Sequence, residues 1–246
     1  MKHIKIILPV LVLLLTFSSC ESFLETESKS SITEETAFSN VSFATYAVNG
    51  IYDHFTDSYS YANILLFAKS GSGIEMVPGT SDNARRDLAQ YMATPNNTQI
   101  TNMWNKFYSA IEHANVCIDN LPISPIWNDP KAKALYGEAV TLRALCYYEL
   151  VTLFGDVPFH LKSTQSNDNF FIPKTSRDSI FEYLVEDLKK VEDDVPWMTN
   201  SATRVTKGFV KGLRARIALT YAGYSLRNKT FETRRGRYWE DYYKIA

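Results

Sequence analysis

Apolar side chains recur at helical spacing from Ala37 through Phe38, Val41, Ala44, Tyr46, Val48, Ile51 and Tyr52 to Phe55, which predicts a first helix. The same period returns in four later stretches, from about Thr98 to Leu121, Pro130 to Phe154, Ser176 to Val195 and Thr206 to Leu226. Breakers sort these four into two hairpins. Pro122 and Pro125 sit in the connection between the first pair, and Pro196 closes the first helix of the second. Thr175 with Asp178 three residues on reads as a variant capping box opening that helix. Gly155 and Pro158 supply the expected stop after Phe154.

The 130–154 stretch carries two apolar faces. Leu135, Ala139, Leu142, Cys146, Leu150 and Leu153 line one, and Tyr136, Val140, Tyr147, Val151 and Phe154 the other. A helix of that kind is predicted to be sandwiched between neighbours. Glu138, Thr141, Glu149 and Thr152 form a narrow stripe that reads as wettable, and Arg143 lies off it, so Arg143 needs a carboxylate or carbonyl from another segment. In the last helix Gly208, Gly212, Ala215, Ala218, Ala222 and Gly223 form a small-residue stripe on which a partner helix can approach closely. Helix hairpins with such a stripe predict a mainly all-α fold of tetratricopeptide-like stacking, although no strict repeat consensus is present.

Two regions break the helical pattern. Residues 56–96 gather Gly71, Gly73, Pro78, Gly79 and Pro95 among Ser, Asp, Asn, Tyr and Arg, and long irregular stretches of this kind are usually functional or mobile. This segment is the leading binding loop, with Tyr59, Tyr61, Asn63, Glu75, Asp82, Asn83, Arg85, Arg86 and Tyr91 as candidate ligand contacts. At the other end, the sequence from Tyr238 to Ala246 opens an amphipathic helix without a stop signal. The chain therefore reads as broken off inside a helix, with Tyr238, Trp239, Tyr242 and Tyr243 left without cover.

Lys2, His3 and Lys5 precede an apolar run from Ile6 to Leu15 that Pro9 interrupts. A bilayer-spanning helix needs about 20 apolar residues, so this shorter run reads as a removable signal over residues 1–19. Ser18 and Ser19 before Cys20 match a lipoprotein processing site, with Phe17 departing from the usual Leu. Cys20 is then the diacylated residue, and 20–36 a polar tether leading into a domain over 37–246. The 26 basic and 27 acidic residues are balanced, which disfavours nucleic acid as a partner. Cys117 and Cys146 lie inside apolar helical patterns and read as small buried hydrophobes, with a disulfide between them the alternative.

Other chemistry is sparse. His3, His54, His113 and His160 are scattered without metal-ligand spacing, and no Cys/His cluster, phosphate loop or nucleophile elbow is present, so neither metal nor cofactor is expected. Trp104 and Tyr108 share helical spacing with Phe107 and Ile111 and read as core. Trp127 divides between packing and display, and Glu192, Asp193 and Asp194 read as a solvated helix end.

Residues 137–159, GEAVTLRALCYYELVTLFGDVPF, resemble the hallmark segment of the SusD/RagB family, in which a Glu-Ala-x-x-Leu-Arg-Ala core runs through aromatics to a Gly-Asp-Val-Pro turn. FLETESKSSITEETAFSN, AVNGIYDHF, WNKFYSAIEHANVCIDNLP, IPKTSRDSIFEYLVEDLKKVEDDVP and RVTKGFVKGLRARIALTYAGYSL resemble further family blocks in the same order. Members are roughly twice this long, so the resemblance covers an N-terminal half. It implies a non-enzymatic outer-membrane lipoprotein, exposed at the cell surface, that binds glycan or another nutrient above a SusC-like TonB-dependent transporter. The lipid anchor is then its only membrane contact. An aromatic arc with Asn, Asp and Arg around it suits sugar, since ring faces cover C–H surfaces and the polar groups bond hydroxyls. A helical-repeat adaptor binding protein on its concave face is the alternative. A glycoside hydrolase is a third, needing a carboxyl pair that sequence cannot display.

The anchoring expectation has a direct check. Cys20→Ala should move the protein from the membrane fraction to the soluble fraction. Unchanged partitioning, with an unlipidated wild-type N-terminus by mass spectrometry, would sink it.

Overall fold

A computed structural model describes residues 33–70, 84–164, 171–198, 203–227 and 230–246. Cys20, Glu75, Asp82 and Asn83 lie outside the described residues. After the single turn α1 (Glu34–Ala37), α2 (Val41–Thr56) starts where the Asn40 side chain accepts from the Phe43 N–H at 3.0 Å. The two long hairpins follow as expected. α5 (Thr98–Asn120) packs antiparallel to α6 (Pro130–Phe154), and α7 (Arg177–Val191) packs on α8 (Lys207–Ala222). Asn97, Asp129 and Thr206 cap α5, α6 and α8 through their side-chain oxygens.

Four details depart from the sequence reading. The stretch 56–96 is not wholly irregular, because α3 (Ile64–Ser70) and α4 (Ala84–Ala89) lie within it and pack together; Ile64 and Leu65 are drawn into the core. The cap of α7 is Ser176, which accepts from the Ser179 N–H, while Asp178 turns instead to Arg227 and Arg234. The last hairpin helix stops at Ala222, and Ser225–Leu226 forms a strand β3 paired with β4 (Thr233–Arg234). An earlier two-residue pair joins β1 (Val157–Pro158) to β2 (Lys174–Thr175). Finally, Glu192 is not simply solvated, because Lys211 and Arg214 of α8 reach it at 3.0 and 2.8 Å and tie the second hairpin together; Asp193 and Asp194 are exposed.

Helix α6 is the centre of the stack. α2, α5, α7 and α8 all touch it, and 15 of its side chains or glycines are buried. Gly137 is required on the α7 side, where an added Cβ would come 2.6 Å from Val195. The supposed wettable stripe is in fact sealed: Glu138, Thr141 and Glu149 are buried, and only Thr152 faces water. Neighbouring elements cover the stripe and satisfy its polar groups, so its polarity is internal.

Arg143 meets the requirement placed on it. Its guanidinium donates to Asp187 at 2.9 Å, to Asn115 at 2.9 Å and to the Leu161 carbonyl at 3.2 Å. Those three partners come from α7, α5 and the strap after β1, so one buried cation ties three segments to α6. Tyr147 reinforces the strap by donating to the His160 carbonyl at 2.9 Å. Cys117 and Cys146 are both buried free thiols, and burial pushes the Cys117 thiol up to about 12.

Trp104 packs between Tyr108 and Phe154, each ring 4.9 Å away, and Trp127 stacks edgewise on Tyr136. The chain closes with α9 (Trp239–Ile245) on α8. Tyr242 is buried there with its ring 4.1 Å from Tyr221, contrary to the expectation that it lacks cover, while Tyr238 and Tyr243 stay largely exposed.

Leu142→Ala and Leu150→Ala should each lose about 2 to 5 kcal/mol in urea unfolding, because both side chains are buried among packed neighbours. Thr152→Ala should cost less than about 0.5 kcal/mol. Equal losses at all three positions would overturn the burial of α6.

Candidate functional site

The polar groups buried on α6 are answered by tyrosines from the α2 side of the stack. Tyr52, in α2, donates its hydroxyl to Glu138 at 2.9 Å, and Tyr61, in the turn after α2, donates to Glu149 at 2.6 Å. Glu138 and Glu149 are eleven residues apart, three helical turns, so they point the same way. Each carboxylate also meets a cation. Arg204 contacts Glu138 at 3.2 and 2.7 Å and Asn49 at 2.7 Å, and Lys69 pairs with Glu149. Tyr52 in turn accepts the Val205 N–H at 2.9 Å, which fixes the segment leading into α8.

Electrostatics keep these groups in defined states. Burial first, then the adjacent carboxylate, holds the Tyr52 and Tyr61 hydroxyls far above the ordinary phenol range, so both remain protonated donors. Burial also raises the Glu138 carboxyl above its usual value, against the pull of Arg204 and the Tyr52 hydroxyl.

Above this floor runs a groove between α2, α6 and the start of α8. Three adjoining recesses of about 400, 310 and 560 Å³ share lining residues and make one trough. Phe55, Tyr61, Leu145 and Phe209 supply its apolar surface, and Asn49, Arg204 and Arg216 its polar rim. The small-residue stripe of α8 divides here. Ala218 and Ala222 are buried, whereas an added Cβ on Gly212 would meet no heavy atom within 4 Å, so this end of the stripe opens onto the groove instead of packing a helix.

Of the residues singled out from sequence, Tyr59, Tyr61 and Asn63 share the turn after α2, and Tyr61 lines the groove. Tyr59 packs against the core, and the buried Asn63 Oδ1 has no hydrogen-bond partner among the described residues. Arg85 and Arg86 are carried by α4, which packs on α3 and α5, away from the groove lining. Tyr91 follows them at φ 56° with its ring 73% exposed. Sequence reasoning missed Asn49, Phe55, Arg204, Phe209 and Arg216, which come from segments more than a hundred residues apart. Phe209 carried a usable signal, an aromatic between two glycines on a stripe otherwise made of small residues.

Stacked helix hairpins of tetratricopeptide-like form, with an aromatic and arginine-bearing groove among them, define a helical-repeat protein. Residues 22–219 match the SusD-like family model described as starch-binding associating with outer membrane, and the chain belongs to this SusD-like family. SusD-like protein P25 of Formosa agariphila is 27% identical over 197 residues, covering 77% of this chain and 37% of its own length. A SusD-like protein of Bacteroides ovatus is 22% identical, with 86% and 38% covered. Among solved structures, a SusD homolog from Bacteroides thetaiotaomicron superposes with a TM-score of 0.72 at 23% identity, covering 89% of this chain and 42% of that one. A laminarin-binding SusD-like protein superposes at 0.64 with 22% identity, covering 74% and 40%. The chain thus spans about two fifths of the length of these relatives.

The Glu138 latch gives a pH-dependent test. Arg204→Met should destabilise by about 3 to 5 kcal/mol at neutral pH, because it strands a buried carboxylate. A carboxyl raised in the folded state contributes stability that is fully present below its unfolded value and is lost as pH rises through the folded one. The defect of Arg204→Met should therefore shrink as pH falls towards the ordinary glutamate range. Adding Glu138→Gln should flatten that dependence in urea titrations at several pH values. A defect independent of pH would refute the latch.

Proposed function

We propose that this chain is the helical part of a surface lipoprotein, anchored through Cys20 to the outer membrane, that binds glycan and passes it to a SusC-like TonB-dependent transporter. It acts by binding and performs no chemistry on the sugar. The observation that carries this reading is family membership across residues 22–219, on a scaffold that holds Tyr61 at the junction of the inserted segment and the groove. The Glu149 acceptor fixes the Tyr61 ring, and a ring so fixed can stack on a pyranose at low entropic cost. Arg204, Arg216 and Asn49 offer donors and acceptors for hydroxyls along the same trough; of the remaining candidates of 56–96, Asn63, Glu75, Asp82, Asn83 and Tyr91 are proposed as further contacts, whereas Tyr59 packs against the core and Arg85 and Arg86 lie away from the trough. Laminarin is the first glycan to try, because a structural neighbour binds it.

A second reading, a protein-binding adaptor, draws on the groove's apolar wall of Phe55, Leu142, Leu145 and Phe209, which suits peptide side chains equally well.

Affinity gel electrophoresis through laminarin, starch and a neutral agarose control separates the two. Retardation by a glycan, lost in Tyr61→Ala and kept in Tyr61→Phe, is the expected result. If no glycan retards the protein, while Phe209→Asp abolishes capture of the transporter from detergent-solubilised membranes, the adaptor reading replaces it.

A further inference from the structure

Helices α2 and α5 each bring one histidine to a common point on the surface. His54 lies half-buried in the last turn of α2, and His113 stands on the exposed side of α5. His54 Nε2 and His113 Nδ1 are 3.1 Å apart, and the ring centroids are 4.7 Å apart with planes inclined at 67°. The centroid separation can be set against two ways of using that contact. A head-on N–H···N hydrogen bond along both ring axes places the centroids about 5.4 Å apart, given about 1.15 Å from nitrogen to ring centre. Two imidazoles ligating one ion through bonds of about 2.05 Å, with nitrogens about 3.1 Å apart, subtend about 98° at the metal and place their centroids about 4.8 Å apart. The observed 4.7 Å falls short of the head-on value, so the two nitrogens meet off axis, as convergence on one ion requires and as a bent hydrogen bond also allows.

We propose that His54 and His113 form a two-imidazole site for a divalent transition ion of nitrogen preference, Cu(II), Ni(II) or Zn(II), with water completing the coordination shell. An angle near 98° lies between square and tetrahedral ligation, so all three ions can be accommodated. The charged groups acting on His54 are Asp53, Asp57 and Lys106, besides His113 itself. Burial, then His113 and Lys106, outweigh Asp53 and Asp57 and hold the His54 imidazole below its ordinary range, and Lys106 pairs with Asp57 at 2.9 Å. Gly50 lies beside His113, where an added Cβ would stand 3.8 Å from Nδ1, an ordinary contact. One feature limits affinity. Metal on His54 Nε2 places the ring proton on Nδ1, which is buried without a partner, so the site lacks the outer-shell acceptor that strengthens most histidine ligands. Among the described residues no group of three or more ligating side chains exists, so the ion is held by this pair and solvent. Bound there, it clips α2 to α5 in the folded state only and stabilises it by mass action.

The test uses the processed chain from Cys20 onward, purified in detergent, because the signal carries His3, which next to a free N-terminal amine chelates Cu(II) and Ni(II) independently. Calorimetric titration with CuCl2, NiCl2, ZnCl2 and MgCl2 is run at about pH 7.5 and about pH 5, alongside melting curves. The expected result is one-to-one binding of at least one transition ion, none of Mg(II), a raised melting temperature, and weakening of both effects at the lower pH, since a ligating imidazole must be neutral. His113→Gln, a surface change that keeps the fold by circular dichroism, should weaken binding about tenfold or more by reducing the chelate to one ligand. His160→Ala should leave it unchanged. Absence of stoichiometric binding, or binding unaltered in His113→Gln, overturns the proposal and leaves the pair as a hydrogen bond between helices.

Discussion

Everything else in this structure follows from the burial of α6. A helix of 25 residues with neighbours on almost every side leaves few positions to water, yet this one carries Glu138, Arg143 and Glu149 buried within its length. Each must be met by a partner or its burial becomes prohibitively costly. The partners come from different places: Tyr52 and Arg204 for Glu138, Asp187 and Asn115 for Arg143, Tyr61 and Lys69 for Glu149. Three charges on one helix thereby specify which segments surround it, because hydrophobic contact alone tolerates many packings.

The same constraint shapes the groove. Tyr52 and Tyr61 lie where they do because their hydroxyls are needed below, by the two carboxylates, and their rings are then presented above. Arg204 is likewise a structural partner on one side and a groove-lining donor on the other. A surface built in this way is rigid by construction. The glycan recognition proposed above benefits from that, since little conformational entropy remains to be lost on the protein side.

The strap after β1 shows how far the network reaches. Asp119 accepts from Lys162 and from both donors of Ser163, while Glu112 accepts from both donors of Thr164, so a strand-poor connection is held along α5 by side chains in place of a ladder. Burial alone would raise the Asp119 carboxyl, but the Lys162 ammonium and the Ser163 donors outweigh it and hold it below its ordinary value. The histidine pair sits on the α2 side of α5, where Lys106 pairs with Asp57 at 2.9 Å.

Sequence alone determined the five long helices, the pairing of four of them into hairpins, and the family. Those features are written in local terms: the 3.6-residue period, prolines and glycines at the ends, and the contiguous hallmark block from Gly137 to Phe159. It also determined that Arg143 needs a partner, since two apolar faces leave a charge no exit. What sequence could not give was the direction of the stripe Glu138, Thr141 and Glu149, which reads as wet because a carboxylate looks the same whether it meets water or a tyrosine 86 or 88 residues away. The groove and the His54–His113 contact belong to the same category. Asn49 and Arg204 are 155 positions apart, and the two histidines 59, so nothing local marks them as neighbours. Only the crossing of α2 over α5 and α6 brings them together, because the side chains that meet are chosen by packing angle and register, and these are properties of the assembled helices.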